Sequence, residues 1–273
     1  MFRDSRPRPN LLIAGVQKAG TSWLHRRLAE HPDFFMSEPK ELQFFQHESK
    51  VRDSAAWKSY LSAFEGSEGY RWRGESTPNY FHSGAGPFSP DGRADSAAEV
   101  ARTLGDDLRV IVSLRDPVTR AVSSYWHQFR KARLDLTESI FRQPKTLSIV
   151  DFGLYRRHYE HWSSTLGADR IQVLLHDDLV ANPRAFLSAV LLALGTPEPE
   201  PDVWTNASLT QRVNDPVWLR QYRKTRNPVT ATEISALLEI YRDDIAFAEE
   251  VTGRELDSWR DLDALIARNA GVP

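Results

Sequence analysis

Two glycines five residues apart, Gly15 and Gly20, bracket a lysine, Lys18, and Thr21-Ser22 follow at once. An apolar run, Leu11-Leu12-Ile13-Ala14, precedes them, and Trp23, Leu24 and Leu28 come after at helical spacing. Strand, glycine-bounded loop and helix N-terminus in that order form an anion site. Successive N–H groups and the positive end of the helix dipole converge on one point. The standard nucleotide loop sets its lysine directly after the second glycine, where it reaches the β- and γ-phosphates of a triphosphate. Here Thr21 holds that place and Lys18 sits inside the loop. That placement suits a shorter anion, with charge developing at a bridging oxygen. The bland alternative is a tight strand-to-helix turn with a solvated lysine.

A second cationic element lies nearly a hundred residues on. Arg115 follows the buried run Leu108–Leu114, and Ser123 comes eight residues later, about two turns into the next helix. A guanidinium recognises phosphate through two parallel hydrogen bonds, and a serine hydroxyl adds a donor. A strand-end arginine paired with Asp116 would read the same way. Glu75 opens a third element, Glu75-Ser76-Thr77-Pro78-Asn79-Tyr80-Phe81, also after a short strand pattern, Arg71–Gly74.

The elements that must position these residues alternate between short apolar runs and amphipathic segments. Strands are expected at 11–14, 34–36, 71–74, 108–114 and 171–175, and helices at 54–64, 95–104, 117–130, 153–166 and 183–194. Pro117 suits the first turn of its helix, and Asp177-Asp178 reads as the N-cap before the helix that starts at Pro183. Residues 83–95 form a surface loop, 131–150 an insertion without a firm period, and 196–201 a proline-rich strap. The tail from Asp215 is largely helical, with Ile234, Leu237, Leu238, Ile240 and Tyr241 on one stripe. The pattern gives an α/β chain, a P-loop-type parallel sheet with helices on both faces and a helical C-terminal portion. Ligands of such sheets bind beyond the carboxyl ends of the strands. Gly15–Gly20, Glu75–Tyr80 and Arg115-Asp116 all follow strands, so all three are expected at one crevice.

The chain has 273 residues, 41% hydrophobic and 26% charged, ordinary values for a soluble globular protein. Its formal charge of −2 provides no basic field, which argues against nucleic acid as a partner. It has no cysteine, so disulfides, thiolate metal sites and a cysteine nucleophile are excluded. No HxxxH, HExxH or acidic cluster suggests a metal. No apolar run approaches the ~20 residues of a membrane span, and the polar, proline-broken start MFRDSRPRPN does not read as a secretory signal. A cytoplasmic enzyme is the expectation.

Gln17-Lys18-Ala19-Gly20-Thr21-Ser22-Trp23 resembles the 5′-phosphosulfate loop of PAPS-dependent sulfotransferases. Leu114-Arg115-Asp116-Pro117 with Ser123 resembles the element that binds the 3′-phosphate in that family. The resemblance covers roughly residues 10–195 and is of the kind seen in carbohydrate and bacterial members. It implies one sulfotransferase domain over 1–273, with a flexible lead-in at 1–10 and a mostly helical cover at 202–273. It also implies a reaction: direct in-line transfer of a sulfuryl group from PAPS to a hydroxyl, without a metal.

Lys40-Glu41-Leu42-Gln43-Phe44-Phe45 is similar to the segment whose glutamate is general base in heparan sulfate-type enzymes, with Gln43 where many relatives carry His. Glu41 is therefore the expected base, and a solvated turn residue is the alternative. Glu75 is a second base candidate, a partner orienting Lys18, or a structural cap. Relatives usually carry Lys where Ser76 stands. Trp23 matches a tryptophan that packs on adenine in the cytosolic branch, although a first-turn aromatic equally suits a core. The expected cofactor contacts are thus Gln17, Lys18, Ala19, Gly20, Thr21, Ser22, Trp23, Arg115 and Ser123. The variable segments 46–70, 82–95 and 131–150 should shape the acceptor pocket, with Trp126 and His127 near its border. A P-loop kinase or NTPase, and a nucleotide-binding module without turnover, are the competing readings.

Overall fold

Strands β1 (Leu11–Gly15) and β4 (Arg109–Leu114) carry the near-continuous apolar runs of strands buried on both faces. They lie side by side in parallel register, Leu11 against Arg109 and Ile13 against Ile111. Three further strands complete a five-stranded sheet, β2 (Phe34–Met36), β3 (Trp72–Glu75) and β5 (Ile171–Leu175), in the order β2-β3-β1-β4-β5. β3 pairs in parallel with both β1 and β2. The sheet and its flanking helices are the α/β architecture that the sequence pattern predicts. The computed structural model describes residues 5–84, 93–211, 221–222 and 227–270. Most of the loop expected over 83–95, and residues 215–220 and 223–226 of the expected helical tail, lie outside the described residues.

The chain divides into two compact units. The first comprises residues 1–83, 92–113 and 159–213 and holds the sheet. Its helices are α1 (Thr21–Leu28), the single turn α2 (Glu48–Val51), α3 (Ser54–Ser62) and α4 (Ser96–Thr103), then the later part of α6 (Tyr155–Leu166), α7 (His176–Ala181), α8 (Pro183–Ala193) and α9 (Asn206–Thr210). One face of its core joins Leu11, Ile13, Leu24 and Leu28 to Phe186, Leu187, Val190 and Trp204. Two indole N–H groups brace α1 from far down the chain: Trp204 donates to the Arg27 carbonyl at 3.0 Å and Trp23 to the Leu209 carbonyl at 3.2 Å. The proline-rich strap is tied to the edge of the sheet, where Thr196 accepts from the Trp72 indole at 2.8 Å and the Pro197 carbonyl lies 3.1 Å from His31 Nε2.

The second unit comprises residues 84–91, 114–158 and 214–273. It contains α5 (Pro117–Arg130), α10 (Ala231–Ile240), α11 (Arg242–Thr252) and α12 (Leu262–Asn269). Val118, Val122, Tyr125 and Trp126 of α5 pack with Ile234, Leu237 and Tyr241, which confirms the helical stripe expected in the tail. Trp126 is only 1% exposed and belongs to this core. Ile140, Ile149 and Val150 of the aperiodic 131–150 segment join the same core between short 3-10 turns. Thr230 and Glu233 form a reciprocal capping box at the start of α10.

Two local expectations are corrected. Asp177 and Asp178 do not cap the helix at Pro183; they sit in the first turn of α7, where acidic groups complement the helix dipole, and Asn182 caps α8 through the Ala185 N–H. Residues 6–10 are held rather than loose. Arg8 donates to the Thr103 carbonyl at 2.9 Å, and Asn10 exchanges bonds with the Arg71 carbonyl and the Arg73 N–H at 3.0 and 2.7 Å.

Candidate active site

The glycine loop leaves β1 between two strand ends that grip it. The Val16 N–H donates to the Ser113 carbonyl at 3.1 Å, and the Ser113 hydroxyl donates to the Ala19 carbonyl at 2.8 Å, so the last turn of β4 holds both ends of the loop. From the other side, the Phe81 N–H donates to the Ala14 carbonyl at 2.9 Å. A Cβ at Gly15 would stand 2.6 Å from the Cβ of Phe81, so only glycine admits this close approach. Gly20 has φ of 85°, and a Cβ there would lie 2.5 Å from Leu179 Cδ2 and 3.3 Å from the His176 ring. Both glycines of the motif are therefore required by geometry. Gly20 is the N-cap of α1 and supplies no side-chain cap, so the helix begins with backbone donors turned to the loop. Lys18 also takes a left-handed φ, 75°, in the bend that the loop makes. Gln17, Lys18, Gly20 and Ser22 are part-exposed, while Ala19 and Thr21 are buried.

Trp23 departs from its expected role. It is 7% exposed, its ring meets Phe186 edge to face at 6.3 Å, and its indole N–H is already engaged by Leu209. The ring is a core anchor for α1 and offers no open face to an adenine.

The two candidate bases occupy opposite environments. Glu41 lies in the turn after the Glu38-Pro39 bend, with its side chain 42% exposed and its carboxylate 3.0 Å from the Lys40 ammonium. Glu75, the last residue of β3, is fully buried. Its Oε1 accepts from the hydroxyls of Tyr60 at 2.7 Å and Tyr80 at 3.0 Å, and its Oε2 accepts from the Thr77 hydroxyl at 2.8 Å. A carboxylate this enclosed, with both oxygens spoken for, cannot receive a proton from an incoming hydroxyl. That enclosure speaks against Glu75 as a base, whereas the Glu41 carboxylate is open to solvent. The Glu41 segment is fastened to the segment after β3: the Ser76 N–H donates to the Lys40 carbonyl at 3.3 Å, and the Phe44 N–H to the Tyr80 hydroxyl at 2.8 Å.

Burial raises the Glu75 carboxyl to about 7, against the pull of its hydrogen-bond donors. The folded chain thus binds a proton at Glu75 that the unfolded chain, near 4.5, has released. The stability from this group is present below pH 4.5 and is lost as the pH rises through 7. The melting-temperature advantage of the wild type over Glu75→Gln is therefore expected to shrink between pH 5 and 7.5. Its slope reaches about 1.4 kcal/mol per pH unit where the two states differ by one proton. Thermal melts of both proteins across that range check it, and a pH-independent difference would mean Glu75 is ionised throughout. His25 shows the opposite sense. Burial, then the nearby Lys40 ammonium, lower its imidazole to about 4.

In the second unit, the chain leaves β4 at Leu114 directly into Arg115, and Asp116 caps α5 by accepting from the Val118 N–H at 3.0 Å. The Thr119 hydroxyl also donates to Asp116, so this carboxylate serves the helix terminus. The Tyr155 hydroxyl fixes the Arg115 carbonyl at 2.6 Å. Arg115 and Ser123 are both part-exposed.

Sequence reasoning missed Tyr60, Ser113 and His176. Ser113 had a signal, a hydroxyl at the end of an otherwise apolar strand; Tyr60 had none, being one more aromatic on the apolar stripe of α3.

Comparison with known proteins adds relatives to this geometry. The family model for the sulfotransferase domain matches residues 8–232. Heparan sulfate glucosamine 3-O-sulfotransferase 3B1 of Homo sapiens is 28% identical over 200 residues, 70% of this chain and 47% of that protein. The chain spans about half the length of the curated relatives it matches. The crystal structure of a sulfotransferase from Alicyclobacillus acidocaldarius aligns with a TM-score of 0.67 at 22% identity, covering 93% of this chain and 99% of that one. The sulfotransferase domain from the curacin biosynthetic pathway aligns at 0.51 and 15% identity, covering 98% and 100%. At these identities the two structures share the fold.

Proposed function

Because the chain belongs to the sulfotransferase family, we propose that it transfers a sulfuryl group from PAPS to a hydroxyl of a carbohydrate or small-molecule acceptor. The observation that carries this reading is the pairing of a pinned glycine loop, its lysine inside the loop, with one half-exposed carboxylate, Glu41, on a segment bonded to the neighbouring strand end. The loop suits the donor: a helix start without a side-chain cap leaves its backbone N–H groups for the phosphosulfate. When bound, PAPS supplies the sulfuryl group and leaves as adenosine 3′,5′-bisphosphate.

Glu41 takes the proton from the acceptor hydroxyl as its oxygen forms a bond to sulfur. Lys18 and the loop N–H groups of Gly20 to Ser22 hold the charge that gathers on the bridging oxygen as the bond from that oxygen to sulfur breaks. No covalent enzyme intermediate is needed. Arg115 and Ser123 are read as the contacts for the 3′-phosphate. The whole chain is read as one sulfotransferase domain acting in the cytoplasm, a location favoured by the cysteine-free composition. Among the described residues no helix is long and apolar enough to cross a membrane.

The relatives' name points to glucosamine units as a first acceptor to try. Ser76 and Gln43 replace residues usual in those enzymes, so the acceptor is expected to differ in detail. A thermal-shift panel of adenosine 3′,5′-bisphosphate, AMP, and ATP with Mg²⁺ tests the donor, since a ligand bound only by the folded state raises the melting temperature. Labelled PAPS with an acceptor panel of glucosamine oligosaccharides, phenols, aliphatic alcohols and water tests the transfer. A preference for ATP with Mg²⁺ would favour a kinase or NTPase, and bisphosphate binding without turnover of any acceptor a non-catalytic module.

Arg115→Ala is expected to weaken adenosine 3′,5′-bisphosphate binding by ~2 kcal/mol or more, the scale of a lost charge-assisted pair. AMP, which lacks the 3′-phosphate, should bind as before. Calorimetric titration of both ligands checks it; equal losses would make Arg115 structural.

A further inference from the structure

Glu75 does more than fill a polar niche at the end of β3. Its carboxylate accepts from three hydroxyls. Two of those hydroxyls pass the contact on. Tyr80, which donates to Glu75 at 3.0 Å, accepts from the Phe44 N–H at 2.8 Å. Thr77, which donates to Glu75 at 2.8 Å, accepts from the Gln43 N–H at 3.3 Å. The N–H groups of Gln43 and Phe44, two and three residues after Glu41, therefore both end on one carboxylate, each through a single hydroxyl. This stretch has no regular secondary structure to fix it, and Gln43 takes a left-handed φ of 50°. Without such acceptors its amides would be left to water and its conformation to chance.

We infer that Glu75 is the positioning residue of the reaction: through Tyr80 and Thr77 it sets the backbone turn that holds Glu41 toward the acceptor. The inference rests on the reading of Glu41 as base. The chemistry of the cluster favours it over a passive buried pair. All of the partners named donate to the acid, and a carboxamide in its place would turn an N–H₂ toward at least one of them. The third hydroxyl contact comes from Tyr60 on α3, whose ring stacks at 4.7 Å on Phe44 and at 5.5 Å on Trp57. The aromatic anchor after Glu41 and the acid of β3 thus hold the turn from both of its sides. Burial accounts for the raised proton affinity of the Glu75 carboxyl, and the surrounding donors oppose it.

The test is a double-mutant cycle that separates positioning from plain stability and from base chemistry. Thr77→Val and Tyr80→Phe each keep the Glu75 carboxylate but cut one relay, and Thr77→Ser restores the hydroxyl. Turnover is measured with labelled PAPS and the fastest acceptor of the panel, water included, in the wild-type and Glu41→Gln backgrounds. Affinity for adenosine 3′,5′-bisphosphate and melting temperature are followed alongside. In the wild-type background Thr77→Val and Tyr80→Phe should each lower kcat roughly tenfold, since small displacements of a catalytic group are costly. Bisphosphate affinity should stay within about twofold, and Thr77→Ser should recover most of the rate. In the Glu41→Gln background the same changes should add no further loss, because they act through a carboxylate already removed. Equal losses in both backgrounds, or a lowered melting temperature with unchanged kcat, would overturn the positioning role. Glu41→Gln alone retaining nearly full activity would instead remove the base assignment, whatever the Glu75 network does.

Discussion

Replacing Glu41 by Gln is expected to cut turnover by ~10²–10⁴-fold, the usual worth of a general base, while affinity for adenosine 3′,5′-bisphosphate stays close to wild type. Gln keeps the size of the side chain and much of its hydrogen bonding, so the loss isolates proton acceptance. The side chain is 42% exposed, and its ion pair with Lys40 is a surface contact that contributes little to stability. The fold should therefore survive the change. Steady-state kinetics with a working acceptor and calorimetric titration of the bisphosphate check the two halves of the expectation. A comparable loss of bisphosphate affinity would place Glu41 at the nucleotide and not at the acceptor.

Lys18→Ala is expected to damage both quantities at once. On the proposed reading the ammonium contacts the phosphosulfate before and during transfer, so its removal should raise KM for PAPS and lower kcat. Removal of a single charge-stabilising donor typically costs ~10²–10³-fold in kcat. The loop itself should persist in the variant, because Ser113, Phe81 and the two glycines fix it through the backbone. Rates and bisphosphate affinity measured together decide the matter. A loss in kcat alone would mean that the ammonium acts only as the bridging bond breaks.

Much of this architecture can be read in the chain, and the reason differs from element to element. Leu11–Ala14 and Arg109–Leu114 announce themselves as buried parallel strands because unbroken apolar runs of that length have few other uses. Helix α5 starts where Asp116-Pro117 says it should, since a capping carboxylate and a proline suit a first turn. The glycine loop is legible for the same local reason. What the sequence hides is which neighbour a side chain meets. Glu75 reads equally as base, partner of a lysine or cap until the hydroxyls of Tyr60, Thr77 and Tyr80 close around it. Trp23 stands in the position of an adenine-packing ring, yet Phe186 and the Leu209 carbonyl, more than 160 residues away, claim it for the core. The capping role of Asp177-Asp178 failed because an extra turn, α7, intervenes, and Asn182 is the better placed acceptor.

The two indole braces on α1 also impose an order of assembly. They join residues separated by 177 and 186 positions. At ribosomal speeds of about 5–20 residues per second, Trp204 and Leu209 arrive roughly 10–40 seconds after α1 has been made. Through that interval the helix behind the glycine loop lacks both braces, and the apolar side of Trp23, Leu24 and Leu28 lacks the cover that Phe186, Val190 and Trp204 later give it. Helix α1 is thus made well before the contacts that complete it.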